Sequence, residues 1–223
     1  MYQNPYSKIK PKTRRPYTEI YLIRHGHPDY AQQKKLGEQN MPLSLIGRRQ
    51  RAYLTKKLLA LDIDKIYSSG LVRAQETAAL YAAKKSAEIL VDRRLDEIDW
   101  KNWYRIKYFN MSEKTRKKKF NHYVSLNEQL DKMQTTARRA IADIFRHSKG
   151  KRVAIFSHGN FIKALLTGIL NADVIGFLSL EIFQSSITKI VIDRDGYIKI
   201  AYINDISHLP APPKEDLFIT LID

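Results

Sequence analysis

Cysteine is absent from the 223 residues. That excludes disulfides, thiolate zinc sites and cysteine nucleophiles. No apolar run is long enough to span a bilayer, so no membrane partner is expected. No low-complexity segment and no solenoid period is present. The first seventeen residues hold Lys8, Lys10, Lys12, Arg14 and Arg15 and no acid. They lack the apolar stretch of a secretory signal and the Ser-rich amphipathic character of a transit peptide. With three prolines they read as an extended basic arm, and a cytoplasmic location is expected. Acidic charge is scarce: 39 Lys and Arg face 23 Asp and Glu, a net charge of +16. Such a field draws anions in. Phosphorylated metabolites, anionic membranes and nucleic acid all suit it, nucleic acid being compatible but not the favoured partner, although the run Lys114 to Lys119 and the basic arm point that way.

Hydrophobic residues at 43% describe a chain able to bury a core, and short apolar strands alternate along it with amphipathic helices. Strands are expected at Glu19 to Ile23, Lys65 to Ser68, Glu88 to Val91 and Val153 to Phe156. Ser44 is placed to cap a helix from about Leu45 to Leu61 with Ile46, Gln50, Tyr53, Leu54 and Leu58 near one face, and Ser69 to cap the next. A long helix carries the stripe Leu126, Leu130, Met133, Ala137, Ile141, Ile144 and ends at Gly150. A helix from Asn160 to Leu170 follows. Asp195-Gly196 turns a hairpin between Ile187 to Asp193 and Tyr197 to Ile203. The expectation is a three-layer α/β/α fold with a mostly parallel central sheet. One domain spans 18–209, with a small, partly helical insertion at about 100–125 lying over the active site and governing substrate choice. The arm at 1–17 and a tail at 210–223 flank it.

Two segments share one form. Ile20-Tyr21-Leu22-Ile23 runs into Arg24-His25-Gly26-His27, and Val153-Ala154-Ile155-Phe156 into Ser157-His158-Gly159-Asn160. In one parallel sheet both histidines emerge at the carboxyl edge, where ligands bind. The glycine after each would let backbone come close to a ligand. Arg24 has the fork geometry for phosphoryl oxygens. Arg73, in the first turn of a helix, adds charge where the dipole already favours an anion. Leu95-Asp96-Glu97-Ile98-Asp99-Trp100 supplies carboxylates beside aromatic residues, suited to a raised pKa and general acid work. Residue chemistry alone leaves Asp96, Glu97 and Asp99 open. His27, His122, His147 and His208 read as structural or surface groups, with His208 the strongest of the four for a role in the site.

Arg24-His25-Gly26, the run from Tyr67 to Ala78, Phe156-Ser157-His158-Gly159, Pro42-Leu43-Ser44-Leu45-Ile46-Gly47, Leu95 to Trp100 and Asn204-Asp205 together resemble the histidine phosphatase superfamily, the phosphoglycerate mutase-like proteins. The resemblance implies His25 as nucleophile, Arg24, Arg73 and His158 as holders of the phosphoryl group, and Glu97 as proton donor. It implies no metal and no cofactor. The implied activity is a phosphomonoesterase acting through phosphohistidine on a small phosphorylated metabolite or a phosphoprotein. A mutase-like phosphotransferase and a catalytically weak anion- or nucleic-acid-binding protein are the alternatives. The chain departs from the pattern at His27, where many members have Glu, at Gly70, where Pro is usual, and after Trp100. These departures bear on substrate and argue against a strict glycolytic mutase.

Overall fold

The computed structural model describes residues 17–100, 112–114 and 124–211. Six strands form one sheet in the order β3-β2-β4-β1-β5-β6. They are β1 Thr18–Arg24, β2 Lys65–Ser68, β3 Ile89–Val91, β4 Arg152–Ser157, β5 Ile187–Ile192 and β6 Ile198–Asp205. β3, β2, β4 and β1 are mutually parallel, and β5 and β6 are added antiparallel. The central pair β1 and β4 are the strands with the most continuous apolar sequence. This is what burial on both faces requires of a parallel strand.

The pleat divides the core. Ile20, Leu22, Val153 and Ile155 face one side, packing with α4 (Val124–Arg146), α5 (Gly159–Ile169) and α6 (Val174–Ser179). Tyr21, Ile23, Ala154 and Phe156 face the other side, under α2 (Leu45–Leu59) and α3 (Val72–Lys85). A short α1 (Gln33–Leu36) lies on the surface between β1 and α2. The architecture is the expected three-layer α/β/α arrangement with a mostly parallel sheet. Most of the insertion, the basic arm and most of the tail fall outside the described residues, as does His122. Among the described residues no helix is long and apolar enough to cross a membrane.

Ser44 caps α2 as expected, its side chain accepting from Gly47 N. The apolar face of α2 differs from the expected one. Leu54 and Leu58 are buried, but Ile46 is 57% and Tyr53 45% exposed. Ser69 also departs from expectation: α3 starts at Val72 with Leu71 as its cap residue, and no side chain caps it. The Ser69 hydroxyl is turned to a histidine instead. The long helix ends at Arg146, short of Gly150.

Register positions the functional edge. Arg24 pairs with Ser157, and Phe156 with both Ile23 and Ser68. The ladder continues one residue past the strands: His25 N donates to Ser157 O at 3.0 Å and Ser69 N to Phe156 O at 2.9 Å. His25, His158 and Ser69 therefore leave the sheet side by side.

Candidate active site

The backbone at Arg24-His25 is braced from the antiparallel side. Ser185 N donates to Arg24 O and His25 O, both at 3.1 Å, and Arg24 N donates to Ser186 O at 3.2 Å. Asn204, at positive φ, fixes that loop by accepting from Phe183 N at 2.7 Å. This is a physical reason for the Asn204-Asp205 segment that sequence reading did not supply. From the other side Thr77, in α3, accepts from Gly26 N at 3.0 Å and donates to Arg73 O at 2.6 Å.

The His25 ring is buried and held in one tautomer. Nδ1 lies 2.7 Å from Gly26 O. A carbonyl can only accept, so Nδ1 carries the proton and Nε2 the lone pair. Arg73 Nε donates to that lone pair at 3.2 Å. Burial, more than the Arg24 and Arg73 charges, pushes the imidazole well below its ordinary pKa.

His158 lies beside it, ring centroids 5.0 Å apart. Its Nε2 is 2.7 Å from Ser69 Oγ, which also accepts from Leu71 N at 3.2 Å. If the hydroxyl proton goes to Nε2, the imidazole proton sits on Nδ1. That nitrogen is buried with no protein partner. Burial again holds the ring neutral, and His25, Arg73 and Arg24 act in the same direction.

Arg24 is anchored by one nitrogen, since Nη1 donates to Ile182 O and lies 3.6 Å from the Glu181 carboxylate. Its Nε is buried and unpartnered. Gly159 makes room for this arginine: a Cβ there would sit 3.3 Å from Arg24 Nε. Gly26 likewise accommodates protein, with Gly47 O at 3.0 Å from a would-be Cβ. Both glycines thus admit neighbouring protein groups, where the sequence suggested approach to a ligand.

Arg73 is only 3% exposed, although it lies off the apolar stripe of α3. Beyond His25 it donates from Nη1 to Glu38 O at 2.7 Å, and its Nη2 is 3.6 Å from the Glu38 carboxylate. Glu97 Oε1 accepts from Asn160 N at 3.1 Å and from Ile98 N at 3.0 Å. Burial raises its pKa against the pull of Arg24 and Arg73. Its acidic neighbours sit differently: Asp96 accepts from Gly70 N at 2.6 Å, and Asp99 is exposed. His27 pairs with Ser44 Oγ and His208 with Ser185 Oγ. His147 is exposed. Among the described residues no three His, Asp or Glu side chains are grouped to hold a metal ion.

Arg24, His25, Arg73, Glu97 and His158 thus converge at one sheet edge. Sequence reading missed Ser69, Thr77, Asn160, Glu38 and Glu181. Of these, only Thr77 carried a signal, four residues after Arg73 on the same helix.

The probable phosphoglycerate mutase GpmB of Enterobacter sp. (strain 638) is 25% identical over 219 residues, covering 89% of this chain and 98% of that protein. The solved structure of Bacillus stearothermophilus YhfR is 27% identical with a TM-score of 0.68, covering 86% of this chain and 98% of its own. Phosphoserine phosphatase of Entamoeba histolytica, solved with 3-phosphoglyceric acid, shares the fold at 23% identity and a TM-score of 0.67, covering 86% of this chain and 98% of its own. A family profile described as histidine phosphatase superfamily (branch 1) matches residues 20–206. The chain belongs to the histidine phosphatase superfamily.

Proposed function

We infer that this protein is a phosphomonoesterase that works through a phosphohistidine on His25 and needs no metal. The observation that carries the reading is the surroundings of His25 Nε2. A lone pair fixed by Gly26 O and Arg73 stands beside two buried nitrogens, Arg24 Nε and His158 Nδ1, that have no acceptor among the described residues. Buried donors are costly to leave unpaired. Phosphoryl oxygens would satisfy them.

In the first step Nε2 attacks phosphorus and the ester P–O bond breaks. Arg24, His158 and Arg73 hold the equatorial oxygens, where each donor is worth roughly 10²–10³ in rate. Glu97, its pKa raised by burial, gives its proton to the leaving oxygen. In the second step water attacks phosphorus, Glu97 takes the water proton, and the N–P bond breaks. Inorganic phosphate leaves with His25 restored. The Glu38 carboxylate near Arg73 is 62% exposed and competes only weakly with a dianion. The substrate class is a small phosphorylated metabolite or a phosphorylated protein side chain.

A phosphotransferase reading is favoured by the mutase named among the relatives. Turnover in oxygen-18 water with a chelator present separates the two. A hydrolase releases phosphate carrying one solvent oxygen at an unchanged rate. A transferase returns the phosphoryl group to an acceptor without solvent label. Loss of activity on chelation, restored by a divalent ion, overturns the metal-free reading.

A further inference from the structure

α5 is apolar along its first two turns except at Asn160 and Lys163. Phe161, Ile162, Ala164, Leu165 and Leu166 are buried, and Lys163, 3% exposed, is buried with them. Lysine is almost never fully buried unless its charge is compensated, because desolvating it costs several kcal/mol. Lys163 Nζ lies 4.7 Å from the Phe177 ring centroid in α6. Phe177 packs on Trp100 at 5.1 Å between centroids, and Trp100 closes the segment that carries Glu97. One turn earlier on α5, Asn160 holds that segment twice, through its backbone N to Glu97 and its side chain to Ile98 O at 3.0 Å. Just beyond α6, Glu181 and Ile182 grip Arg24. The amine therefore sits where the supports of Glu97 and of Arg24 meet. Among the described residues, Glu181 and Glu97 favour its charged form and Arg24 opposes it. Burial outweighs these and brings the amine down to about 8.

We propose that Lys163 is a positioning residue for the reaction at His25, its ammonium balancing Glu97 against the Arg24–Glu181 pair from beneath the pocket. This rests on the phosphatase reading. A cation near Glu97 eases the return of that carboxyl to the ionised state, which the water step requires. A cation near Glu181 shares that carboxylate and keeps it from drawing Arg24 away from the phosphoryl site. When the amine loses its proton, both effects are lost.

The test compares wild type, Lys163→Arg and Lys163→Met in two readouts. One is the pH profile of kcat/KM on a single alkyl phosphate. The other is the carbon-13 carboxyl titration of Glu97, assigned by its loss in Glu97→Gln. Wild-type kcat/KM falls above pH 8 to a plateau about tenfold lower, the equivalent of one pKa unit of lost interaction. Lys163→Arg stays charged and loses that fall. Lys163→Met lowers kcat at neutral pH by about tenfold, the equivalent of one pKa unit of lost interaction, with KM changed less. It also moves the Glu97 titration upward. An alkaline fall retained in Lys163→Arg, or a wild-type profile and titration in Lys163→Met, overturns the proposal. Should Lys163→Met not fold, the Arg profile decides. If wild type turns over no phosphate ester but Lys163→Met still shifts Glu97, the phosphatase reading fails and the coupling stands. Normal turnover with neither readout moved sinks the coupling alone.

Discussion

β1 and β4 lie side by side, each ending in a polar residue and a His-Gly pair, and their rings finish 5.0 Å apart. The two rings are nevertheless held by opposite nitrogens. His25 is tied through Nδ1 to the carbonyl of its neighbour Gly26, so Nε2 is bare of any proton. His158 is tied through Nε2 to a hydroxyl from the end of another strand, so Nδ1 is the nitrogen without a partner. The chain also takes a different course beyond each strand. After His158 it enters α5 directly, with His158 as cap residue. After His25 it crosses the surface and returns where Pro28 bridges Leu43. Equal sequence patterns at one sheet edge thus leave Nε2 open on one ring and Nδ1 open on the other. The difference comes from the groups that reach in from elsewhere.

The largest expected effect breaks the pair on the β1 side. His25→Ala removes the attacking lone pair and abolishes turnover on every phosphate ester, which steady-state assays on aryl and alkyl phosphates check. His158→Ala removes a donor and leaves the nucleophile, so kcat falls by roughly 10²–10³ while a phosphoenzyme still forms. If the two variants are equally dead and equally unlabelled, the division of labour is wrong. Ser69→Ala tests the tautomer. Losing one hydrogen bond of about 1–1.5 kcal/mol should cost about tenfold in kcat and leave labelling of His25 intact.

Both rings also set a stability profile. Each is neutral in the fold, with a pKa pushed well below the ordinary value by burial. The unfolded chain binds protons at these histidines near pH 6.5 and the folded chain does not, so stability falls as pH drops through that value. Melting temperatures at pH 7 and pH 5 should show the loss, and His158→Gln should flatten the slope. The smallest effect concerns Glu38, the exposed neighbour of Arg73. Glu38→Gln removes a weak competitor and should lower KM by about twofold, in line with a surface pair worth under 1 kcal/mol.

The strands and the long helix were legible because burial writes a period into them. β1 and β4 show it as unbroken apolar runs, and α4 as a helical stripe of which all but the half-buried Met133 are buried. α2 was misjudged at Ile46 and Tyr53 because Leu45, Ile46, Tyr53, Leu54, Leu58 and Leu59 circle the whole helix, so no single face stands out. α1 has no buried residue and α6 is one short turn capped by Asp173, so neither leaves a periodic trace. At the site, the motif residues could be read, but their partners could not. Ser69 looked like a helix cap, and only the register of β2 beside β4 brings its hydroxyl to His158. Lys163 was a single charge in an apolar helix, a signal that means little until Phe177, Glu97 and Glu181 are seen around it. Asp96, Glu97 and Asp99 were equivalent by residue chemistry, only the resemblance singled out Glu97, and the backbone amides of Asn160 and Ile98 hold its carboxylate.

The central claim, that His25 and not His158 takes the phosphoryl group, is tested most directly by trapping it. Glu97→Gln, which lacks the base for the water step, is mixed with phosphorus-32-labelled nitrophenyl phosphate, stopped, digested and mapped. An alkali-stable, acid-labile label confined to the peptide bearing His25, and lost in His25→Ala, is the predicted result. Label on the His158 peptide, or turnover with no labelled peptide at all, would contradict the account.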